Sequence, residues 1–252
     1  MSRYDFTSHR LFVEGDLGPG RVVAATPEQA NYLCNVLRLK DGDHVLLFNG
    51  RDGEWRAALG ARSKRGVALN IEAATREQEG GPDIDYLFAP LKRSRLDYMV
   101  QKATEMGVAR LRPVITRRTV AERVNVERLA ANAIEAAEQC GILRVPSVAE
   151  PEKLATVLAR WPAERTLVFC DEDAEVGDPV SALSGIPAPG GSLPPPLGLL
   201  IGPEGGFDPE ERARLLAVPG VVRLSLGPRI LRADTAAVAA LALVNACVGD
   251  WR

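Results

Sequence analysis

Hydrophobic and polar positions along the chain follow two rhythms. Through residues 1–73 the apolar stretches are short and are separated by turn dipeptides. Arg21–Ala24, His44–Phe48, Glu54–Leu59 and Gly66–Ala73 read as strands, punctuated by Asp41-Gly42-Asp43, Asn49-Gly50 and Asp52-Gly53. Pro27–Leu39 reads as a single helix with Pro27 in its first turn. Several strands at short spacing predict a small β-barrel. Residues 74–83 are polar, contain Gly80-Gly81-Pro82 and have no period, which predicts a linker.

From residue 84 strands alternate with helices. Ile84–Ala89 is a predicted strand, followed by a helix opened by Ser94-x-x-Asp97, with Leu96, Met99, Val100, Ala103 and Met106 as its apolar stripe. Leu111–Ile115 is the next strand. Asn125 caps a helix carrying Leu129, Ala133, Ile134, Ala137 and Cys140, which Gly141 ends. A short helix over Leu154–Leu158, a strand over Thr166–Cys170 and a surface loop over Gly185–Pro196 follow. Asp208-Pro209-Glu210-Glu211 is a strong helix start, and Asp234 caps a last helix with Val238, Leu241 and Val244 facing inward. This alternation predicts an α/β domain over 84–252, its parallel sheet covered on both faces.

Two apolar runs in that domain stop at glycine-marked turns: Leu199-Leu200-Ile201-Gly202-Pro203-Glu204-Gly205-Gly206 and Leu224-Ser225-Leu226-Gly227-Pro228. Each run reads as a buried strand, and open α/β sheets bind ligands beyond the carboxyl ends of their strands. The glycines match neither dinucleotide nor P-loop spacing, Glu204 would repel a phosphate, and the first strand–helix turn, Ala89-Pro90-Leu91-Lys92, has no glycine. The residues alone leave two readings: a tight loop with nothing bound, or a pocket for a neutral or cationic ligand whose adenine edge pairs with backbone.

Composition narrows this little further. The 252 residues are 46% hydrophobic and 25% charged, as in ordinary globular proteins, and only 5% aromatic, so an aromatic stacking platform is not expected. A net charge of −2 requires any nucleic-acid contact to use local basic patches. Lys92, Arg93 and Arg95 form one such cluster, Arg117, Arg118 and Arg123 a second, and Arg10, Arg38 and Lys40 extend the track. Cys34, Cys140, Cys170 and Cys247 are far apart and have no histidine partners, which predicts buried thiols and no zinc site. No apolar run approaches a membrane span, and Met1–Arg10 has no signal-like core, so a soluble, cytoplasmic protein is expected.

The residues from Leu200 to Phe207 and from Leu224 to Ala236 together resemble the RsmE family of 16S rRNA uracil-N3 methyltransferases, within the SPOUT superfamily. The likeness extends to Lys92–Asp97, Gln101–Val108, Thr116–Thr119, Ala137–Gly141 and Val36–Leu39 with Gly42-Asp43, in one order over nearly the whole chain. It implies a PUA-like RNA-binding β-barrel over 1–73 and a methyltransferase domain with a deep trefoil knot within about 166–240. It also implies a homodimer that acts on 16S rRNA in the small ribosomal subunit, with S-adenosyl-L-methionine as cofactor and no metal. By resemblance the cofactor lies against Phe169, Cys170, Ile201, Gly202, Pro203, Glu204, Gly205, Leu224, Leu226, Gly227, Ile230 and Leu231. Arg232 is the implied charge stabiliser, with Glu138, Glu204 and Asp234 as further candidates near the chemistry; Arg10, Arg38, Lys92, Arg95, Arg117 and Arg118 are the implied RNA contacts. Ile142 stands where the family usually has arginine, Tyr32 where it often has histidine, and Asp234 replaces the commoner glutamate. A knotted methyltransferase with another RNA target and a non-catalytic ribosome-assembly factor are the alternatives.

Overall fold

A computed structural model describes residue 5 and residues 7–62, 66–120, 123–175, 177–187 and 195–251. Residues 188–194 of the expected surface loop lie outside the described residues. The chain divides into two compact units, Met1–Gly80 with Ala137–Val145, and Gly81–Ala136 with Pro146–Arg252.

The first unit is built on β1 (Arg10–Phe12), β2 (Val22–Ala24), β3 (His44–Phe48), β4 (Glu54–Leu59) and β5 (Ala68–Arg76), in the order β1-β3-β4-β5-β2. The β1–β3 pair is parallel and the others are antiparallel. Leu11 from one edge and Val23 from the other join a single core with Val45, Leu47, Leu59 and Leu69, which gives the sheet its barrel-like closure through side chains. α1 (Pro27–Asn31) starts with a reciprocal Thr26–Gln29 capping box and continues as a π-helical turn, Tyr32–Val36. The single helix expected over Pro27–Leu39 therefore stops early. Leu37 and Leu39 both pack on the core, and two positions this close cannot share one helical face, so the chain turns at Arg38, a non-glycine residue with φ +59°. β5 runs to Arg76, into the expected linker; Ala74 and Thr75 are exposed, so no hydrophobic alternation marked them as strand.

The second unit contains β6 (Ile84–Phe88), α2 (Arg93–Glu105), β7 (Arg110–Ile115), most of α3 (Val126–Cys140), β8 (Ser147–Val148), β9 (Glu152–Lys153) and α4 (Leu154–Ala159). β10 (Thr166–Cys170), α5 (Pro179–Ser184), β11 (Leu197–Ile201), α6 (Pro209–Leu216), β12 (Val222–Leu224) and α7 (Ala233–Val248) complete it. Its strands are parallel, in the order β12-β10-β11-β6-β7-β8, with β9 also on β7. α6 starts as expected, Asp208 and Glu211 forming a capping box around Pro209. The same Asp-Pro signature at Asp178-Pro179 opens α5, which the hydrophobic pattern missed because the helix buries only Leu183. Two expected caps differ. Lys92 precedes α2, and Asp97 instead accepts Arg128 and Asn132; Arg232 occupies the cap position of α7, leaving Asp234 in the first turn facing the helix dipole.

Strand alternation sorts the sheet into two faces. Leu87, Leu167, Phe169 and Leu200 face Leu154 and Val157 of α4 and Leu215 of α6. Tyr86, Phe88, Leu199, Ile201 and Cys170 lie on the opposite face by register, the side on which α7 packs. Gly198 belongs to the first face, where Trp161 lies over it; a Cβ added there would stand 2.5 Å from Trp161 Cζ2. Trp161 is fixed by its Nε1 bond to the Arg165 carbonyl (2.8 Å) and by the Arg112 guanidinium 5.8 Å from its ring. Gly198→Ala is expected to lower stability by about 1–3 kcal/mol through overpacking, read as a lower urea midpoint. An unchanged midpoint would show that Trp161 swings aside freely.

Candidate cofactor site

The sheet order brings the carboxyl ends of β11, β10 and β12 side by side, and a cavity of about 270 Å3 opens there. Cys170, Asp171 and Glu172 contribute from the end of β10; Ile201, Gly202, Pro203, Glu204, Gly206 and Phe207 from the end of β11. Leu224, Leu226, Gly227, Arg229, Ile230 and Leu231 form the third wall, closed by Ala233 and Ala236 of α7. The sequence motif at Leu224 is thus mostly wall: the strand ends at Leu224, and no ladder includes residues 225–232.

Two residues expected at the cofactor do not line this cavity. Phe169 points to the other sheet face, where its ring meets Phe207 edge-on at 6.0 Å, since neighbours in a strand project to opposite sides and Cys170 takes the cavity side. Gly205 turns away, its carbonyl accepting Arg118 Nη1 at 2.6 Å, and Gly206 (φ +69°) takes the wall position. Sequence reading missed Glu172, Phe207 and Arg229. Arg229 lies inside the recognised motif, while Glu172 was signalled only by following a strand end.

Electrostatics separate the wall residues into roles. Asp171 is buried, yet its carboxylate accepts Arg212 Nε and Nη2 (3.0 and 2.9 Å), Arg223 Nε (2.8 Å) and the Asp173 N–H (3.2 Å). Burial alone would raise its pKa, but the bonds from the two arginines outweigh it and hold the carboxyl below its usual value. Asp171 therefore ties the β10 loop to α6 and β12. Burial pushes the Cys170 thiol up to about 12, so it presents a neutral, unreactive surface. Against the expectation of buried thiols, Cys140 is exposed and Cys34, Cys170 and Cys247 are only half-buried.

Placement changes the reading of several candidates. Glu138 does not line the cavity; its Oε1 accepts the Phe12 N–H at 2.8 Å within the first unit. Arg10 is removed from the RNA track, because its guanidinium is buried against Glu54 (2.9 Å) and bonds the Asp5 carbonyl. Arg117 is neutralised between Asp208 (2.8 Å) and Glu210 (2.5 Å). Arg95 reaches Glu204 at 3.7 Å. Arg38, Lys92 and Arg232 are exposed, and among the described residues none of them forms an ion pair.

Comparison with known proteins follows the same division of the chain. The RNA methyltransferase domain family matches residues 79–245, and the RNA methyltransferase PUA domain family matches residues 25–72. Ribosomal RNA small subunit methyltransferase E from Synechocystis is 32% identical over 95% of this chain and 78% of its own. The Rickettsia conorii protein of that name is 29% identical over 94% and 95%. The chain belongs to the ribosomal RNA small subunit methyltransferase E family. A Neisseria gonorrhoeae protein of this family, solved bound to S-adenosyl methionine, superposes with a TM-score of 0.84 at 26% identity, covering 97% of this chain and all of that one. A Legionella pneumophila chain solved with the same cofactor gives 0.82 at 29% identity over 96% and 99%.

The cavity of this family member fits that cofactor on its own chemistry. A Cβ on Gly227 (φ +93°) would meet no atom within 4 Å, so the glycine leaves both the backbone exposed and space beside it. Apolar Ile201, Leu224, Leu226 and Leu231 suit an adenosine, Glu172 and Glu204 suit its cationic end, and Arg229 suits a carboxylate.

Proposed function

We propose that the protein transfers a methyl group from S-adenosyl-L-methionine to N3 of a uracil in 16S rRNA of the small ribosomal subunit. The observation that carries this reading is the cavity formed by three loops at the ends of β10, β11 and β12, in a chain whose relatives are named for that rRNA and are solved with that cofactor. When bound, the cofactor supplies an activated methyl on a sulfonium. The chain supplies orientation and charge. Arg232, exposed beside Leu231 of the cavity wall, stabilises the anion that develops on the uracil as N3 gives up its proton. Glu138 accepts the Phe12 N–H of β1, and this reading assigns the proton to solvent.

The same reading takes the first unit as the RNA-positioning module, with Arg38 and Lys92 as phosphate contacts, and places the protein in the cytoplasm as a homodimer. It also takes the segment within about 166–240 as knotted; the position of β10 between the later strands β11 and β12 supports this. Ile142 packs beside Phe48, Ala137 and Leu143 in an apolar site.

The test is incubation with methyl-labelled cofactor and small subunits lacking the modification, followed by digestion of the rRNA. Label in 3-methyluridine at one position is expected; label in another nucleoside would overturn the target. Arg232→Ala is expected to leave cofactor Kd within about twofold and to lower single-turnover transfer ~100-fold or more, the scale of losing one electrostatic donor. Equal losses in both would make Arg232 a binding residue.

A further inference from the structure

Two of the arginines first assigned to RNA are directed at the cofactor loop instead. Arg118, after β7, donates to the Gly205 carbonyl at 2.6 Å, and its Cδ would lie 3.6 Å from a Cβ on Gly205. Arg95, in the first turn of α2, faces Glu204 with Nη1 3.7 Å from Oε1, and both side chains are about two-fifths exposed (41% and 43%). Glu204 also lines the cavity. Its carboxylate therefore has two possible partners, Arg95 on the surface and a cation inside the cavity. The other cavity acids differ in this respect: Asp171 is already paired by Arg212 and Arg223, and Glu172 forms no ion pair among the described residues.

We propose that Glu204 and Arg95 are positioning residues that couple the charge of the bound cofactor to the grip on RNA, with Arg118 holding the loop on which Glu204 sits. The proposal rests on the methyltransferase reading above. Before transfer a sulfonium in the cavity draws Glu204, and Arg95 is left to pair with an RNA phosphate. During transfer the new C–N bond takes its electrons from uracil N3, the N3 proton goes to solvent, and the C–S pair stays on sulfur. The product is a neutral thioether, Glu204 returns to Arg95, and the phosphate contact weakens. Reciprocity requires that RNA in turn favour the charged over the neutral form of the cofactor.

The measurement is the Kd of the full-length protein for a 16S rRNA transcript at fixed salt, by filter binding, with saturating S-adenosylmethionine or S-adenosylhomocysteine. An exposed pair of this kind is worth a ratio of about 2–5 in favour of the charged form. Glu204→Gln and Arg95→Ala should each bring the ratio to about 1, and Arg95→Lys should restore part of it, since a phosphate needs only a point charge. A wild-type ratio of 1 with both cofactors bound would overturn the coupling alone. A ratio that survives Glu204→Gln, or that Glu172→Gln abolishes equally, would overturn the assignment to the Glu204–Arg95 pair. Absence of cofactor uptake by the wild-type protein would remove the methyltransferase reading and the coupling with it.

Discussion

Replacing Gly202 with valine is expected to abolish measurable cofactor uptake in a protein that still folds. A Cβ at this position would lie 2.9 Å from Phe207 Cε2 and 3.0 Å from Cζ. Phe207 cannot simply withdraw, because its ring packs edge-on against Phe169 in the core beneath α4 and α6. The added methyls must take space from the cavity that Gly202 and Phe207 both line, or push the loop from Pro203 to Gly206 out of place. Either way the wall loses its shape. The expected result by calorimetry is a Kd for S-adenosylmethionine raised at least ~100-fold, with a stability loss of about 1–3 kcal/mol from the strain itself. Gly202→Ala provides the milder step, with an intermediate Kd. A folded Gly202→Val protein that binds within twofold of wild type would show that the cofactor lies elsewhere.

Asp171→Asn is expected to be the most destabilising conservative change near the cavity, by about 3 kcal/mol near neutral pH. The substitution keeps the shape but removes the charge that Arg212, Arg223 and the Asp173 N–H converge on, leaving two guanidiniums facing a neutral amide. Both arginines retain some solvent contact, which keeps the loss at the low end of the range for a buried pair. The pH dependence has a definite sign. The folded-state pKa lies below the ordinary 3.8, so the carboxylate contributes stability that is full above that value and is lost as pH falls through the folded value. The gap between wild type and Asp171→Asn should therefore hold steady from neutral pH to about 5 and close below about 4. Denaturant melts across that range test it; a gap that stays constant into acid would mean that Asp171 acts by packing rather than charge. Cofactor affinity should fall with the variant too, because the β10 loop, α6 and β12 are joined through this one carboxylate.

Much of the second unit could be read directly from local pattern. Thr166–Cys170 is a strand with the bounds its apolar run predicts, Asp208-Pro209 starts α6, Asn125 accepts the Arg128 N–H at the head of α3, and Gly141 ends that helix at φ +65°. These features are local: a cap, a proline or a left-handed glycine acts within one turn, so a few adjacent residues contain the whole cause. The glycine loops after β11 and β12 were legible for the same reason, and nearly all the cavity residues expected from them line its walls.

What pattern could not supply was the partner of each side chain. Arg117 and Arg118 are adjacent and look alike in sequence, yet one is neutralised by Asp208 and Glu210 and the other holds the Gly205 carbonyl 87 positions away. Arg10 looks like part of a basic track, but Glu54 is buried beside it. Phe169 and Cys170 sit side by side, and strand geometry sends them to opposite faces, but only the placement of α7 decided which face holds the cavity. Sequence by itself determined the family, the strand and helix order and the loops that make a pocket, because each is encoded by near neighbours or by motif. Tertiary structure alone decided which charges are free, which are paired and which carboxylate is shared, because those depend on burial and on approaches of a few ångströms between residues distant in the chain.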